Sequence, residues 1–354
     1  MLKPRKCILE MHEYESPLTS PALDLRLDMN ENTSGCAPRV LAKLRSLDAK
    51  TIALYSSREP GEKLVADFLG IQPAQTLLTN GADEAIALLC RAYLEAGDEI
   101  IIVVPAFAMY EILAQAEGAT VVRVPAGPEY SFPAEGILKA IRPRTRLIII
   151  TNPNNPAGTI ARRADILKIL EAASESAVLL DEAYFDFYGE TLLDQIGAIP
   201  NLFVARTFSK AYGLAGLRLG VLAGPAAQLM LLRRICLPFN INVSALACLE
   251  EALADREYVQ NYVDQVKSTR EWLRHELELL GFKCWRSHTN FVLADFGEMK
   301  EAVLEGMRAR GIALRDRTDC PGCVRMSVGT KKEMESVLAV LEQILAQSRP
   351  GVSK

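Results

Sequence analysis

The sequence contains neither G-x-G-x-x-G nor G-x-x-x-x-G-K, so both glycine fingerprints for cradling a nucleotide are missing. No stretch approaches the roughly 18 consecutive apolar residues of a membrane span. The opening Met1-Leu-Lys-Pro-Arg-Lys-Cys-Ile-Leu-Glu10 starts basic but has no apolar core of signal-peptide length. Basic charge is not in excess: 40 Lys and Arg stand against 44 Asp and Glu, a net charge of −4, which leaves no electrostatic footprint for nucleic acid. The basic clusters at 142–146 and 162–163 lie in polar segments and read as solvated surface. Histidine is scarce, and His12, His275 and His288 do not cluster. The eight cysteines are scattered, which favours reduced thiols over a disulfide framework. Cys320-Pro-Gly-Cys323 has no second pair at zinc-site spacing, so it is read as a Pro-Gly turn in preference to a redox pair or half a metal site. These absences lead to an expectation of a cytoplasmic protein with no metal, no membrane and no nucleic-acid partner.

What is present is a chain of 354 residues, 49% hydrophobic and 24% charged, long enough for about two domains. β-branched runs at 75–78, 99–104, 120–124, 147–151, 177–180, 202–205 and 219–223 alternate with helical patterns at 83–96, 110–117, 133–141 and 164–173. That alternation predicts βαβ units: an α/β fold whose large domain holds a mostly parallel seven-stranded sheet flanked by helices. Beyond about 240 the pattern changes to long amphipathic helices over 244–280 with a break, short strands at 282–286, 290–296, 312–315 and 323–328, and helices at 299–310 and 331–347. The expected division is an N-terminal arm at 1–37, a large domain at 38–240 and a smaller α+β domain at 241–354.

Open α/β sheets bind ligands beyond the carboxyl ends of their strands, so the residues after each strand carry the search. Gly81-Ala82-Asp83-Glu84 opens a helix and offers free N–H groups to a phosphate, although a simple Asp N-cap reads the same way. Asn152-Pro-Asn-Asn155-Pro-Ala-Gly158 is a rigid turn, and Asp181-Glu-Ala-Tyr184 leaves a carboxylate at the end of an apolar strand, costly without a cation or donor. Then comes Thr207-Phe-Ser209-Lys210-Ala-Tyr-Gly-Leu-Ala-Gly-Leu-Arg218-Leu-Gly220, one amine beside two hydroxyls and an arginine. This is the set a Schiff base to a phosphorylated aldehyde requires, with the amine as nucleophile and the phosphate as handle. A surface helix start with solvated Lys and Arg is the alternative for this string alone.

The collinear order Asn155, Asp181, Tyr184, Lys210, Arg218 closely resembles the fold-type I (aspartate-aminotransferase-like) pyridoxal-phosphate aminotransferases, and the likeness extends over nearly the whole chain, nearest to the histidinol-phosphate branch. The resemblance implies pyridoxal 5′-phosphate on Lys210, which carries a proton between substrate and cofactor. It implies a phosphate held by Ala82, Asp83, Thr207, Ser209 and Arg218, a ring nitrogen held by Asp181, and a ring hydroxyl held by Asn155 and Tyr184. Phe107 occupies the ring-stacking position, where that branch more often has Tyr, and a core Phe competes with this reading. Tyr55 resembles the tyrosine that reaches the neighbouring subunit's cofactor phosphate in a homodimer with shared sites, but its context is Tyr-Ser-Ser-Arg-Glu-Pro in place of Tyr-Pro-Asp-Pro. On the substrate side, Arg325 matches the carboxylate-binding arginine and Arg315 a second arginine for a substrate phosphate. Tyr14 and Asn32, the latter in Asn30-Glu-Asn-Thr33 where the family has Pro for Thr33, resemble arm residues that touch substrate. The implied reaction is transamination of histidinol phosphate with 2-oxoglutarate, in histidine biosynthesis. An aromatic amino-acid aminotransferase is the nearest alternative; a decarboxylase of a phosphorylated amino acid and a non-catalytic ligand-binding module stand further off.

Overall fold

The computed structural model describes residues 2–11, 13, 14 and 24–348, so His12 and the Glu-Ser-Pro that follows Tyr14 lie outside the described residues. Strands are numbered in chain order: β1 Leu25–Arg26, β2 Thr76–Asn80, β3 Glu99–Val104, β4 Thr120–Pro125, β5 Thr145–Thr151, β6 Ala177–Asp181, β7 Leu202–Thr207 and β8 Leu219–Ala223. After these come β9 Lys283–Cys284, β10 Phe291–Asp295, β11 Ile312–Ala313, β12 Arg315–Asp316 and β13 Cys323–Ser327.

Seven strands form one sheet in the order β2-β8-β7-β6-β5-β3-β4. β7, β6, β5, β3 and β4 pair in parallel, while β8 is antiparallel to both β7 and β2. Six strands therefore point one way, and β8 alone starts at the edge where the others end. The period-2 alternation of β5 shows why the sheet is covered twice: Leu147 and Ile149 pack under helices Gly81–Tyr93 and Met109–Ala116, while Ile148 and Ile150 pack under helices Ala134–Ala140 and Arg163–Ala172. All four of these β5 side chains are buried.

The chain then leaves through helix Val243–Ala254 into helix Arg256–Leu279. The break between them falls at Asp255, whose non-helical backbone and carboxylate cap the second helix by accepting the Tyr258 N–H. A four-stranded antiparallel sheet, β12-β13-β10-β9, packs against helices Arg256–Leu279, Lys300–Arg308 and Lys331–Ser348 around Phe291, Met307, Val337 and Leu341. The expected strand at 282–286 shrinks to β9, and that at 312–315 divides into β11 and β12. The arm reads in sequence as loop, yet Leu25–Arg26 pairs in parallel with β11 and fully buried Leu27 joins the core of the four-stranded sheet. Two paired residues are too few to leave a periodic signal in the sequence.

Candidate active site

The parallel strands end at one edge, and the chemistry-bearing residues follow them. Asp181 is the last residue of β6, Tyr184 lies in the turn after it, Asn155 follows β5, and Ser209 and Lys210 follow β7. Arg218 reaches the same edge for a different reason: it is the residue before β8, the one reversed strand. Its backbone is left-handed, φ 53°. A Cβ on Gly81, itself at φ 73°, would come within 2.5 Å of the Arg218 guanidinium, and a Cβ on Gly220 would come within 2.6 Å of the Gly81 backbone. Glycine at these two positions lets the guanidinium lie across the start of helix Gly81–Tyr93, where main-chain N–H groups are free. The Arg218 guanidinium donates to Asp83 at 2.9 Å, and the buried Ser209 Oγ has no partner among the described residues. Arginine, hydroxyl and helix start together make a concave, donor-rich cradle suited to a phosphate.

Lys210 Nζ donates to the main-chain oxygen of Met29 at 2.9 Å. Burial, reinforced by the positive charge of Arg325, lowers its pKa from 10.5 to about 8, so at pH 7 about a tenth of the amine is free as a nucleophile, far more than for an exposed lysine. Asp181 is buried, and burial raises its pKa; Tyr110 Oη donates to its Oδ2 at 2.6 Å and the Ala183 N–H to its Oδ1 at 3.0 Å. Tyr184 is buried edge-on against Phe291, and its hydroxyl accepts from Asn30 Nδ2 at 2.8 Å.

Opposite the sheet edge, Arg325 in β13 is buried. Its Nη1 donates to Asn155 Oδ1 and its Nη2 to the Asp28 carbonyl, each at 2.6 Å, while its Nε finds no partner among the described residues. Burial pushes the Arg325 pKa down to about 10, with Arg317 and Arg315 adding like charge. Arg315 is the cross-strand partner of Arg325, is only half-buried, and lies over the Tyr14 ring with Nη2 3.4 Å from its hydroxyl. Arg317, to which the sequence reading gave no role, is the more buried of the two: it reaches the Ala106 carbonyl and pairs with Asp319.

The arm passes between these groups as a row of main-chain acceptors. Leu27 O accepts from Ser327 Oγ, Asp28 O from Arg325, Met29 O from Lys210 and Asn30 O from Asn290 Nδ2. Asn30, fully buried at φ 55°, also donates to Tyr184; Asn32 instead donates to the Ala211 carbonyl and turns the loop through Ser34. Of the two asparagines, Asn30 makes the hydrogen bond to Tyr184, and its place in Asn-Glu-Asn is the only trace of this in the sequence. Thr33 donates to Glu333 Oε2 at 2.7 Å, an acid that also caps the last helix at the Thr330 N–H. A cleft of about 340 Å³ opens here, lined by Glu31, Asn32, Thr33, Ser209 and Gly213.

Phe107 is half-buried and edge-on to Tyr110, with ring centroids 5.7 Å apart. Tyr55 stands apart: it is 84% exposed and stacks on Phe239 at 4.5 Å. Cys320 and Cys323 flank a turn closed by the Cys323 N–H to Cys320 carbonyl bond, and both thiols are free and buried beside Trp285. No helix of the described residues is long and apolar enough to cross a membrane.

The model of the family described as aminotransferase class I and II matches residues 24–341. The chain is 34% identical to the histidinol-phosphate aminotransferase of Dehalococcoides mccartyi over 90% of both chains. It is 35% identical to histidinol-phosphate aminotransferase 2 of Methylococcus capsulatus, over 91% of this chain and 90% of the relative. Among solved structures, the histidinol-phosphate aminotransferase of Sinorhizobium meliloti in complex with pyridoxal-5′-phosphate superposes with a TM-score of 0.90 at 24% identity, covering 98% of each chain. The aspartate aminotransferase of Thermus thermophilus with maleate gives 0.84 at 23% identity, covering 97% of this chain and all of that one. Both likenesses establish the aspartate-aminotransferase-like fold.

Proposed function

We propose that this chain, which belongs to the aminotransferase class I and II family, uses pyridoxal 5′-phosphate to exchange an amino group between histidinol phosphate and 2-oxoglutarate, as part of histidine biosynthesis. The observation that carries the cofactor is the donor set at the sheet edge: a lysine amine with pKa lowered to about 8, an unpartnered buried Ser209 hydroxyl, and an arginine laid across two glycines at a helix start. That set fits a phosphorylated aldehyde. When bound, pyridoxal phosphate supplies a carbonyl carbon for an amine and a ring that accepts electrons.

Each residue's part follows from its place. Arg218, Thr207, Ser209 and the Ala82 and Asp83 end of the helix hold the phosphate. Asp181, whose two donors oppose the cost of burial, holds a protonated ring nitrogen. Asn155 and Tyr184 hold the ring hydroxyl, and Phe107 covers one ring face. Lys210, as a free amine, would take a proton from the substrate's α-carbon and pass it to the cofactor. Arg325 binds a carboxylate or phosphate of the substrate through a fork already aligned by Asn155, and Arg315 with Tyr14 adds a second cation for the phosphate. Asn32 lines the cleft mouth.

We also assign a homodimer with shared sites. Exposed Tyr55 stacks on exposed Phe239, with exposed Ile52 and Leu54 beside the one in the chain and exposed Leu237 beside the other, an apolar surface that a second copy would cover. The eight free thiols accord with a cytoplasmic location.

The test is a single-turnover titration of the loaded enzyme with histidinol phosphate, phenylalanine and glutamate, following the visible absorption band of the cofactor. Histidinol phosphate converts the band at low concentration and phenylalanine only at high concentration. Arg315→Gln raises the histidinol phosphate requirement about tenfold or more while leaving glutamate nearly unchanged. Equal conversion by phenylalanine transfers the assignment to an aromatic substrate.

A further inference from the structure

Tyr110 ends the segment Val104-Pro-Ala-Phe107-Ala-Met-Tyr110, and its chemistry is not used by any step above. It lies in the first turn of helix Met109–Ala116, its side chain is 2% exposed, and its hydroxyl sits between two strand ends. Tyr110 Oη donates to Asp181 Oδ2 at 2.6 Å and lies 2.9 Å from Thr151 Oγ1. Thr151 and Asp181 are register partners on β5 and β6, so the two acceptors are held at a fixed spacing by the sheet itself. A phenol has one proton. Given to the carboxylate, it leaves the phenol oxygen to accept from the Thr151 hydroxyl, and the three groups form a one-way chain from Thr151 through Tyr110 to Asp181 in which each bond polarises the next.

We propose that Tyr110 is a positioning residue that, backed by Thr151, fixes the plane of the Asp181 carboxylate and holds it as an anion for the ring nitrogen of the cofactor. This rests on the cofactor reading above. Burial acts on Asp181 against ionisation, and the largest opposing influence is the Tyr110 hydrogen bond, ahead of the Ala183 N–H. The other ionisable groups that bear on it are Asp83, which opposes ionisation, Lys210, which favours it, and Tyr184 across the ring site. Tyr110 is itself buried with its pKa pushed well up, so it remains a neutral donor through the working range. A phenylalanine at 110 keeps the ring in the core and removes only the donor. The carboxylate then keeps only the Ala183 N–H, with less restraint on its plane and a weaker hold on a protonated nitrogen.

The experiment loads wild type, Tyr110→Phe, Thr151→Val and Asp181→Asn with pyridoxal phosphate, then measures the cofactor dissociation constant by equilibrium dialysis and the visible band against pH. Expected are a dissociation constant about tenfold or more higher in Tyr110→Phe, a displaced pH midpoint of the band, and a smaller displacement of the same sign in Thr151→Val. Asp181→Asn is the limiting case, and both variants fall between it and wild type. Circular dichroism of the cofactor-free proteins separates folding from binding, and Thr151→Val, which leaves the Tyr110 ring untouched, carries the test if Tyr110→Phe misfolds. An unchanged constant and midpoint in Tyr110→Phe beside an impaired Asp181→Asn overturns the proposal and leaves Tyr110 as core packing. A wild-type chain that takes up no cofactor overturns the cofactor reading and this proposal together, an outcome visible in the first titration.

Discussion

On the sheet side of the cleft, Asp181, Lys210 and Arg218 each stand within a few residues of a strand that hydrogen bonds on both sides, and each reaches the site by its own side chain. On the arm side, residues 27–30 follow a strand of only two residues, Leu25–Arg26, and meet the site through carbonyl oxygens and one asparagine amide, on partners 154 to 300 positions away. The sheet side is thus positioned locally, by covalent attachment to a rigid lattice. The arm side is positioned by the buried Leu27 side chain and by tertiary hydrogen bonds, each bond a net stabilisation of about 0.5–1.5 kcal/mol but costly to leave half made. Chemistry is expected to fail first when the sheet side is altered, and geometry when the arm side is.

The sharpest test of the contrast is Lys210→Ala, which removes the amine without disturbing the sheet. Its single-turnover rate is expected to fall by at least about 10³-fold while the circular dichroism of the folded chain is retained. Arg325→Met ranks next, since it removes the anion fork and leaves Asn155 Oδ1 and the Asp28 carbonyl unpartnered. A fall in kcat/KM for glutamate of about 10- to 100-fold is expected, with cofactor affinity nearly unchanged. Asn30→Ala acts the other way round: it removes the amide that donates to the Tyr184 hydroxyl, keeps the main-chain N–H bond to Ser327 Oγ, sets alanine at φ 55°, and is expected to lower unfolding stability by about 1–3 kcal/mol while the cofactor still binds. Loss of cofactor binding without loss of stability in that variant would break the comparison.

A pH series sharpens the contrast further. With its pKa lowered to about 8 in the fold, Lys210 binds fewer protons than the unfolded chain between about pH 8 and its ordinary value. In that window the cofactor-free wild type gains stability with rising pH relative to Lys210→Met, and below pH 8 the difference is flat at its most unfavourable. Denaturant melts of the two proteins across pH 7–11 read this directly. The smallest effect belongs to Thr33→Pro, which gives up the bond to Glu333 but keeps the capped helix; a stability change within about 1 kcal/mol is expected from the same melts.

The sheet was legible because its strands are buried on both faces and read as apolar runs closed by polar residues, and all seven observed strands begin and end within two residues of the runs in the sequence. The sheet-side candidates were legible for the same reason: a strand end names its neighbours. Asn30 was not, because two asparagines two residues apart look alike until the left-handed backbone at one of them selects which amide turns inward. Nor was Tyr110, whose partner Asp181 is 71 residues away and adjacent only through strand order. The burial of Arg317 over Arg315 depends on where β12 stops, a boundary one residue wide that periodicity does not resolve.

The row of carbonyls from Leu27 to Asn30 has a consequence for how this protein can vary. An acceptor made of backbone is present whatever the side chain, so most single replacements at 27–29 leave the contacts to Ser327, Arg325 and Lys210 chemically intact. Deleting or inserting one residue there shifts every acceptor by one place and turns alternate carbonyls away. The segment is therefore tolerant in spelling and strict in count, and its length, more than its composition, is what a natural or engineered variant has to keep.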